Sequence, residues 1–128
     1  MNKAMIIGKI RSKSRLLPVG SNTVVLNLVV ATNEDYIAAD GEKFTRSEFH
    51  RVLVFQKQAQ LCSYCLELDN RVYVEGRLRT KKWKGKLGED RYTTEILAVR
   101  VIPMEDSVIE KMEKILDNPL SFPMRGVD

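Results

Sequence analysis

"RVYVEGRLRTKKWKGKLGEDRYTTE", residues 71–95, holds seven basic residues in its first sixteen positions: Arg71, Arg77, Arg79, Lys81, Lys82, Lys84 and Lys86. Glu75 is the only acid among those sixteen, and Trp83, inside the run, is the only tryptophan of the chain. Like charges repel, so the run costs folding free energy until something negative neutralises it. Cations of this kind track phosphates, and an indole offers a flat apolar surface on which an unpaired base stacks. A second cluster, "EFHRVLVF" (48–55), sets Phe49, Arg51 and Phe55 at strand spacing. Rings among cations on a sheet surface suit a single strand, because a duplex hides the faces of its bases.

Alternation along a strand sorts these residues by face. Arg71, Tyr73, Glu75, Arg77, Arg79, Lys81 and Trp83 share one side of the basic segment. Val72, Val74, Gly76, Leu78, Thr80 and Lys82 share the other. One side is expected to pack into a core and the other to form a basic ladder ending in the indole. Gly76 is where a barrel strand would bulge or coil sharply. In the second cluster Phe49, Arg51, Leu53 and Phe55 fall together, opposite His50, Val52 and Val54. Lys84, Lys86 and the loop 85–90 would extend the platform. A merely solvated basic face, with Phe49 and Phe55 as core residues, competes with this reading, and the residues alone leave the two about even.

Other chemistry has little to build on. The chain has one His, and its two cysteines, Cys62 and Cys65, make a single CxxC. That spacing fits a redox pair or two metal ligands, but a closed zinc site needs four donors. Two small buried residues on one helix face are the expected outcome. With no phosphate-cradling glycine motif and no nucleophile–base pair, no enzyme, metal or cofactor is expected.

The elements that must position the basic faces follow from period. At 128 residues and 44% apolar, the chain is expected to form one globular domain. Strands are predicted at 2–11, 23–32, 48–55, 71–83 and 91–102, a helix at 56–68, and a polar segment at 33–46 with a turn at Asp40-Gly41. Five strands with one helix between the third and fourth is the order of an OB-fold, an all-β Greek-key barrel. Ser107 and Glu110 fit a capping box for a short amphipathic helix at 106–117, with a loose end after it. Residues 1–104 carry 18 Lys and Arg against 11 Asp and Glu, whereas 105–128 carry three against six. The expected organisation is therefore a basic barrel over 1–104 and a short acid-leaning extension over 105–128. No apolar window reaches bilayer length and no leader is evident, so a cytoplasmic protein without a membrane partner is expected.

"EFHRVLVF", "RVYVEGRLRTKKW" and "GEDRYTTEI", with the opening "NK…IIGKI" and the strand "VVLNLVVAT", resemble the bacterial single-stranded DNA-binding protein family over about residues 2–104. The resemblance implies an OB-fold, usually a homotetramer, that binds single-stranded DNA without sequence preference or catalysis. Carried over by position, base stacking falls on Tyr36, Phe49, Phe55 and Trp83. Backbone contacts fall on Lys3, Arg51, Lys57, Arg77, Arg79, Lys81 and Lys82, with Lys84 and Lys86 beside them. His50 matches a position at the subunit interface. The resemblance also implies roles in bacterial replication, recombination or repair at the nucleoid, with proteins of those processes as partners.

Three departures stand out. "ELDN" (67–70) replaces a basic, Gly-containing turn, no Gly/Pro/Gln-rich linker follows the barrel, and the end "LSFPMRGVD" lacks the family's acidic terminus. The alternative is a replication-restart or conjugation adaptor on the same fold, acting mainly through protein partners. The amphipathic helix leans that way if it docks a partner; retention of Phe55 and Trp83 leans toward DNA.

Overall fold

In the computed structural model, which describes residues 1–118, the period-two segments become strands that close on themselves. In chain order the elements are β1 (Ala4–Lys13), β2 (Leu17–Val19), β3 (Thr23–Ile37), β4 (Lys43–Phe55), α1 (Gln56–Cys65), β5 (Arg71–Lys84), β6 (Asp90–Pro103) and α2 (Asp106–Asp117). The sheet runs β1-β5-β6-β4-β3-β2, and β1 also pairs with β3. That last pairing closes a five-stranded barrel, with β2 as a short edge on β3. β4 meets β6 in parallel and every other pair is antiparallel. This is the expected OB-type barrel, its helix lying between the third and fourth barrel strands.

The core follows the alternation. Val52 and Val54 of β4, Val72 and Val74 of β5, Ile10 of β1 and Ile96 of β6 all point inward and are buried. At Gly76 the sheet is too close for a side chain: a Cβ there would sit 2.2 Å from the Leu97 carbonyl oxygen. Gly76 pairs with Ala98 while Glu75 pairs with Arg100, so Val99 is an extra residue bulged out of β6. Beyond Gly76, β5 is exposed at every position to Lys84, and beyond Arg79 the β5–β6 pair leaves the barrel as a free hairpin.

The β3–β4 hairpin is longer than expected. The polar segment 33–46 is strand to Ile37 and again from Lys43, around the predicted turn at Asp40-Gly41. Polar side chains pair across it: the Ser47 hydroxyl donates to Asn33 Oδ1 and the Thr45 hydroxyl to Asp35 Oδ1, both at 2.7 Å. Such cross-strand pairs stabilise a ribbon that buries no core face, and so leave no hydrophobic period to read.

α1 enters through Gln56, whose φ of 56° is unusual for a side-chain-bearing residue. The cost is offset locally, because the Gln56 amide accepts from the Val24 N–H at 2.9 Å and donates to the Asn22 carbonyl at 3.0 Å. The helix ends at Cys65, three residues earlier than expected, and the Lys13 ammonium donates to the Ser63 and Leu66 carbonyls at that end. A cation there complements the helix dipole.

The predicted capping box does not form. Ser107 lies inside α2, and Glu105 takes the N-cap position without a side-chain cap bond. Its carboxylate accepts instead from the Asn70 amide (2.9 Å) and the Arg71 N–H (3.0 Å), tying the 67–70 turn to the start of α2. Val108, Met112 and Ile115 of α2 join Cys62, Cys65 and Leu66 in the core. Residues 119–128, including the expected loose end, lie outside the described residues.

Candidate nucleic-acid interface

Residues paired across neighbouring strands project to the same side of a sheet. On the outside of the barrel this rule puts Arg51 of β4 beside Glu95 of β6, and Glu95 beside Arg79 of β5. Two residues along, Lys81 is opposite Thr93 and Trp83 is opposite Arg91. Phe49, Arg51, Leu53 and Phe55 lie on this same face by alternation along β4. The Arg77, Arg79, Lys81 and Trp83 part of the predicted ladder thus joins the β4 cluster on one continuous surface, whereas Arg71, at the other end of the ladder, lies opposite Lys9 of β1. Phe49, at 64% exposure, is the most open of the four predicted stacking rings. A concavity of about 170 Å³ between the two clusters is lined by Asn27, Val29, Arg51, Leu53, Lys81 and Glu95, among others.

Glu95 has no counterpart in the sequence expectations. It is 4% exposed, and its carboxylate meets Arg79 at 3.1 Å and Lys81 at 3.7 Å. The acid holds the two cations flat on the sheet. Arg51 and Arg77 have no ion-pair partner among the described residues.

Trp83 is half exposed and oriented. Its indole N–H donates to the Thr93 hydroxyl at 2.8 Å, and the Arg91 guanidinium lies 5.8 Å from the ring centroid. Arg91 is held in turn by Glu89 at 3.0 Å. The Glu89 carboxyl sits below its ordinary range because its own backbone N–H, then Arg91, then the Leu87 N–H stabilise the anion.

Other predicted residues lie elsewhere. Register is unbroken from Val25–Phe55 to Ile37–Lys43, so alternation puts Tyr36 on the opposite side of the hairpin from Phe49. There it stacks on Phe44, which the sequence reading did not single out, with ring centroids 5.4 Å apart and Arg46 5.4 Å from its centroid. Lys82 and Lys84 occupy the reverse side of the β5–β6 hairpin, beside exposed Tyr92, and both pair with Asp90. Lys3 is also apart, 3.9 Å from Glu75 on the β1–β5 surface. Lys57 is exposed in the first turn of α1, Lys86 is exposed in the hairpin tip, and Phe55 is half-buried at the β4–α1 junction. His50 is on the core-side face of β4, partly buried, with a ring nitrogen 2.9 Å from the Thr32 hydroxyl.

Both cysteines are buried and free. Burial pushes the Cys62 thiol up to about 12 and raises Cys65 as well, so neither is a ready thiolate at neutral pH. Among the described residues no cluster of His, Cys, Asp and Glu is placed to hold a metal ion, and no helix is long and apolar enough to cross a membrane.

The model of the single-strand binding protein family matches residues 1–104. The chain belongs to that family. Among solved structures it is similar to the Plasmodium falciparum SSB in complex with ssDNA, at 26% identity and a TM-score of 0.75, covering 82% of this chain and 96% of that one. The barrel is also like that of a deletion mutant of the Thermus aquaticus single-stranded DNA-binding protein, with a TM-score of 0.72 and 24% identity. That match covers 83% of this chain and 51% of the Thermus chain.

Proposed function

We propose that this protein binds single-stranded DNA through the outer face of β4, β5 and β6, without reading sequence and without catalysing a reaction. The observation that carries it is the joining of Phe49 and Trp83, both exposed, to Arg51, Arg77, Arg79 and Lys81 on one surface. Cations follow the phosphates while rings take the bases, at about 1–3 kcal/mol per stacked base. Every base has a flat face to stack, so thymine and cytosine tracts should both bind. Its biological setting is the protection of exposed strands during replication, recombination or repair in a bacterial cytoplasm.

Self-association accompanies the reading. Ile7, Tyr73 and Ile102 form one cross-strand row on the β1–β5–β6 surface, and Met5, Ile7 and Ile102 are all exposed. An apolar row of this kind supports a homo-oligomer, expected to be a tetramer, with His50 on a second contact face. Light scattering at micromolar concentration tests it, and a monomer refutes it. The adaptor alternative loses its main support, because the apolar face of α2 is used within its own core.

Trp83 provides the decisive experiment. Oligothymidylate should quench its emission, a duplex of equal length should compete poorly, and Trp83→Ala should cost about 1–3 kcal/mol of binding. Equal binding of duplex and single strand defeats the proposal.

A further inference from the structure

On the outer face of β4, Phe49 and Phe55 are separated by about 20 Å of extended strand. A base lying between them has no ring to stack on. It meets instead the concavity of about 170 Å³ that borders Arg51 and Leu53, the two outward residues between the rings. The far wall of this hollow is β3: Asn27 is directly opposite Leu53, and Val29 is directly opposite Arg51. On the near side Arg51, Glu95 and Arg79 form a row toward β5. The Glu95 carboxylate is taken by Arg79 and Lys81. Polarity therefore changes across the sheet. Cations occupy β4 and β5, the half-buried side chains of Leu53 and Val29 make an aliphatic floor, and a neutral carboxamide stands on β3.

That carboxamide has no structural task. The backbone of Asn27 is satisfied by Ser14: its N–H donates to the Ser14 hydroxyl and its carbonyl accepts from the Ser14 N–H, both at 2.9 Å. Its side-chain amide has no partner among the described residues. Asparagine is depleted in strands, and here it stands exposed between buried Leu26 and Leu28. A carboxamide has donors at one end and an acceptor at the other, and a half-turn about χ2 exchanges them. The Watson–Crick edge of every base sets a donor beside an acceptor. One asparagine thus suits all four bases, as a surface that does not read sequence requires.

We propose that Asn27 binds the edge of an unpaired base lying on Leu53 and Val29, between the bases stacked on Phe49 and Phe55, an inference that rests on the single-strand reading above. The phosphates keep to the side of Arg51, Arg79 and Lys81, and the base extends away from them toward β3. The order of strands fixes that direction, because the cations of β5 and the carboxamide of β3 are on opposite sides of the aliphatic floor.

The test measures binding of end-labelled strands by fluorescence anisotropy. Oligothymidylate, oligodeoxycytidylate and an abasic sugar-phosphate strand of the same length are compared. Asn27→Ala should weaken both base-bearing strands about two- to tenfold, as for a lost hydrogen bond. The abasic strand should bind as before, and the salt slope should not change, because no charge has been removed. Asn27→Asp leaves only acceptors. It should shift the ratio of affinities about two- to tenfold toward cytosine, whose N4 amino group donates to a carboxylate, whereas the one N–H of thymine is flanked by two carbonyls. Repulsion between the new charge and the phosphates falls on both strands and cancels in the ratio. Any loss of folded protein cancels there too. An unmoved ratio overturns the inference, as does an Asn27→Ala loss that is equal on the abasic strand. If wild type prefers single strands to duplex and both variants behave like it, the single-strand reading stands and the base seat does not. If wild type binds duplex equally well, the single-strand reading itself has failed.

Discussion

Glu95 and Arg79 are direct partners across the β5–β6 pair, and the nearly buried carboxylate accepts from the guanidinium at 3.1 Å. An acid at the centre of the proposed phosphate-binding face plays two parts. It fixes the cations Arg79 and Lys81 in place, and it takes up part of their charge before DNA arrives. Glu95→Gln should lower stability by about 1–3 kcal/mol, because a buried hydrogen-bonding arrangement is broken. The same variant should show a steeper salt dependence of DNA binding, since two cations lose their internal counter-ion. Urea unfolding and a salt titration read the two effects separately. A shallower slope would mean that orientation of Arg79 outweighs the charge.

Tyr36 and Phe49 are on opposite sides of the β3–β4 hairpin, so their substitutions should differ with strand length. Phe49→Ala should weaken binding of short oligothymidylates by about 1–3 kcal/mol. Tyr36→Ala should leave short strands nearly unaffected and weaken only those long enough to turn around the hairpin. Phe44→Ala should behave like Tyr36→Ala, because the two rings form one stack. Equal losses for Tyr36 and Phe49 on a short strand would show that the hairpin twists both rings onto one path.

Met112 is 6% exposed between α2 and the rest of the core, with Val108 and Ile115 beside it. Met112→Ala should destabilise the fold by about 2–5 kcal/mol while leaving the affinity of the folded protein for DNA unchanged. Deleting residues 105–128 should prevent stable folding, whereas deleting 119–128 should not. Thermal unfolding of the three variants distinguishes α2 as core from α2 as appendage.

Glu75 and Tyr73 offer a pH-dependent test away from the proposed DNA face. The Tyr73 hydroxyl donates to Glu75 at 2.7 Å, and this bond, with Lys3 and Arg100 adding to it, holds the Glu75 carboxyl below its ordinary range. A depressed carboxyl contributes stability that is full above its unfolded pKa and is lost as pH falls through the folded one. Tyr73 is raised chiefly by the same bond, so its contribution is full below the ordinary tyrosine range and is lost at higher pH. Tyr73→Phe should therefore move the Glu75 titration upward toward its ordinary position, as followed by carboxyl carbon NMR. No movement would mean that Lys3 and Arg100 set the value.

The barrel was legible in the sequence because its strands bury one side. Val52, Val54, Val72 and Val74 fix both the strands and their inward face, and the ladder from Arg77 to Trp83 followed from the same parity. What escaped notice lacks that period. The ribbon around Asp35 and Thr45 is held by hydroxyl and carboxylate pairs, and the Leu17–Val19 strand is too short for alternation to register. The family resemblance carried Tyr36 over together with Phe49, and parity along the extended hairpin puts the two rings on opposite sides. Glu95 went unremarked as a member of a site because its significance depends on which residues face it across strands.

The bulge at Val99 sets how this protein can change length. Before it, Ile96 and Ala98 point to the core side; after it, Val101 and Pro103 do, so the inward side passes from even to odd numbers within one strand. Loss of a single codon here would preserve the reading frame and every other residue. It would set Arg100 directly after Ala98, the two opposite Glu75 and Gly76, so Arg100 would stay outward and Val101 inward, and only the local bend and twist of the bulge would be lost. The tip of the hairpin, residues 85–89, has no inward side to protect either. Changes of length among relatives of this chain should therefore gather at that tip and at the bulge, and avoid the paired residues between them.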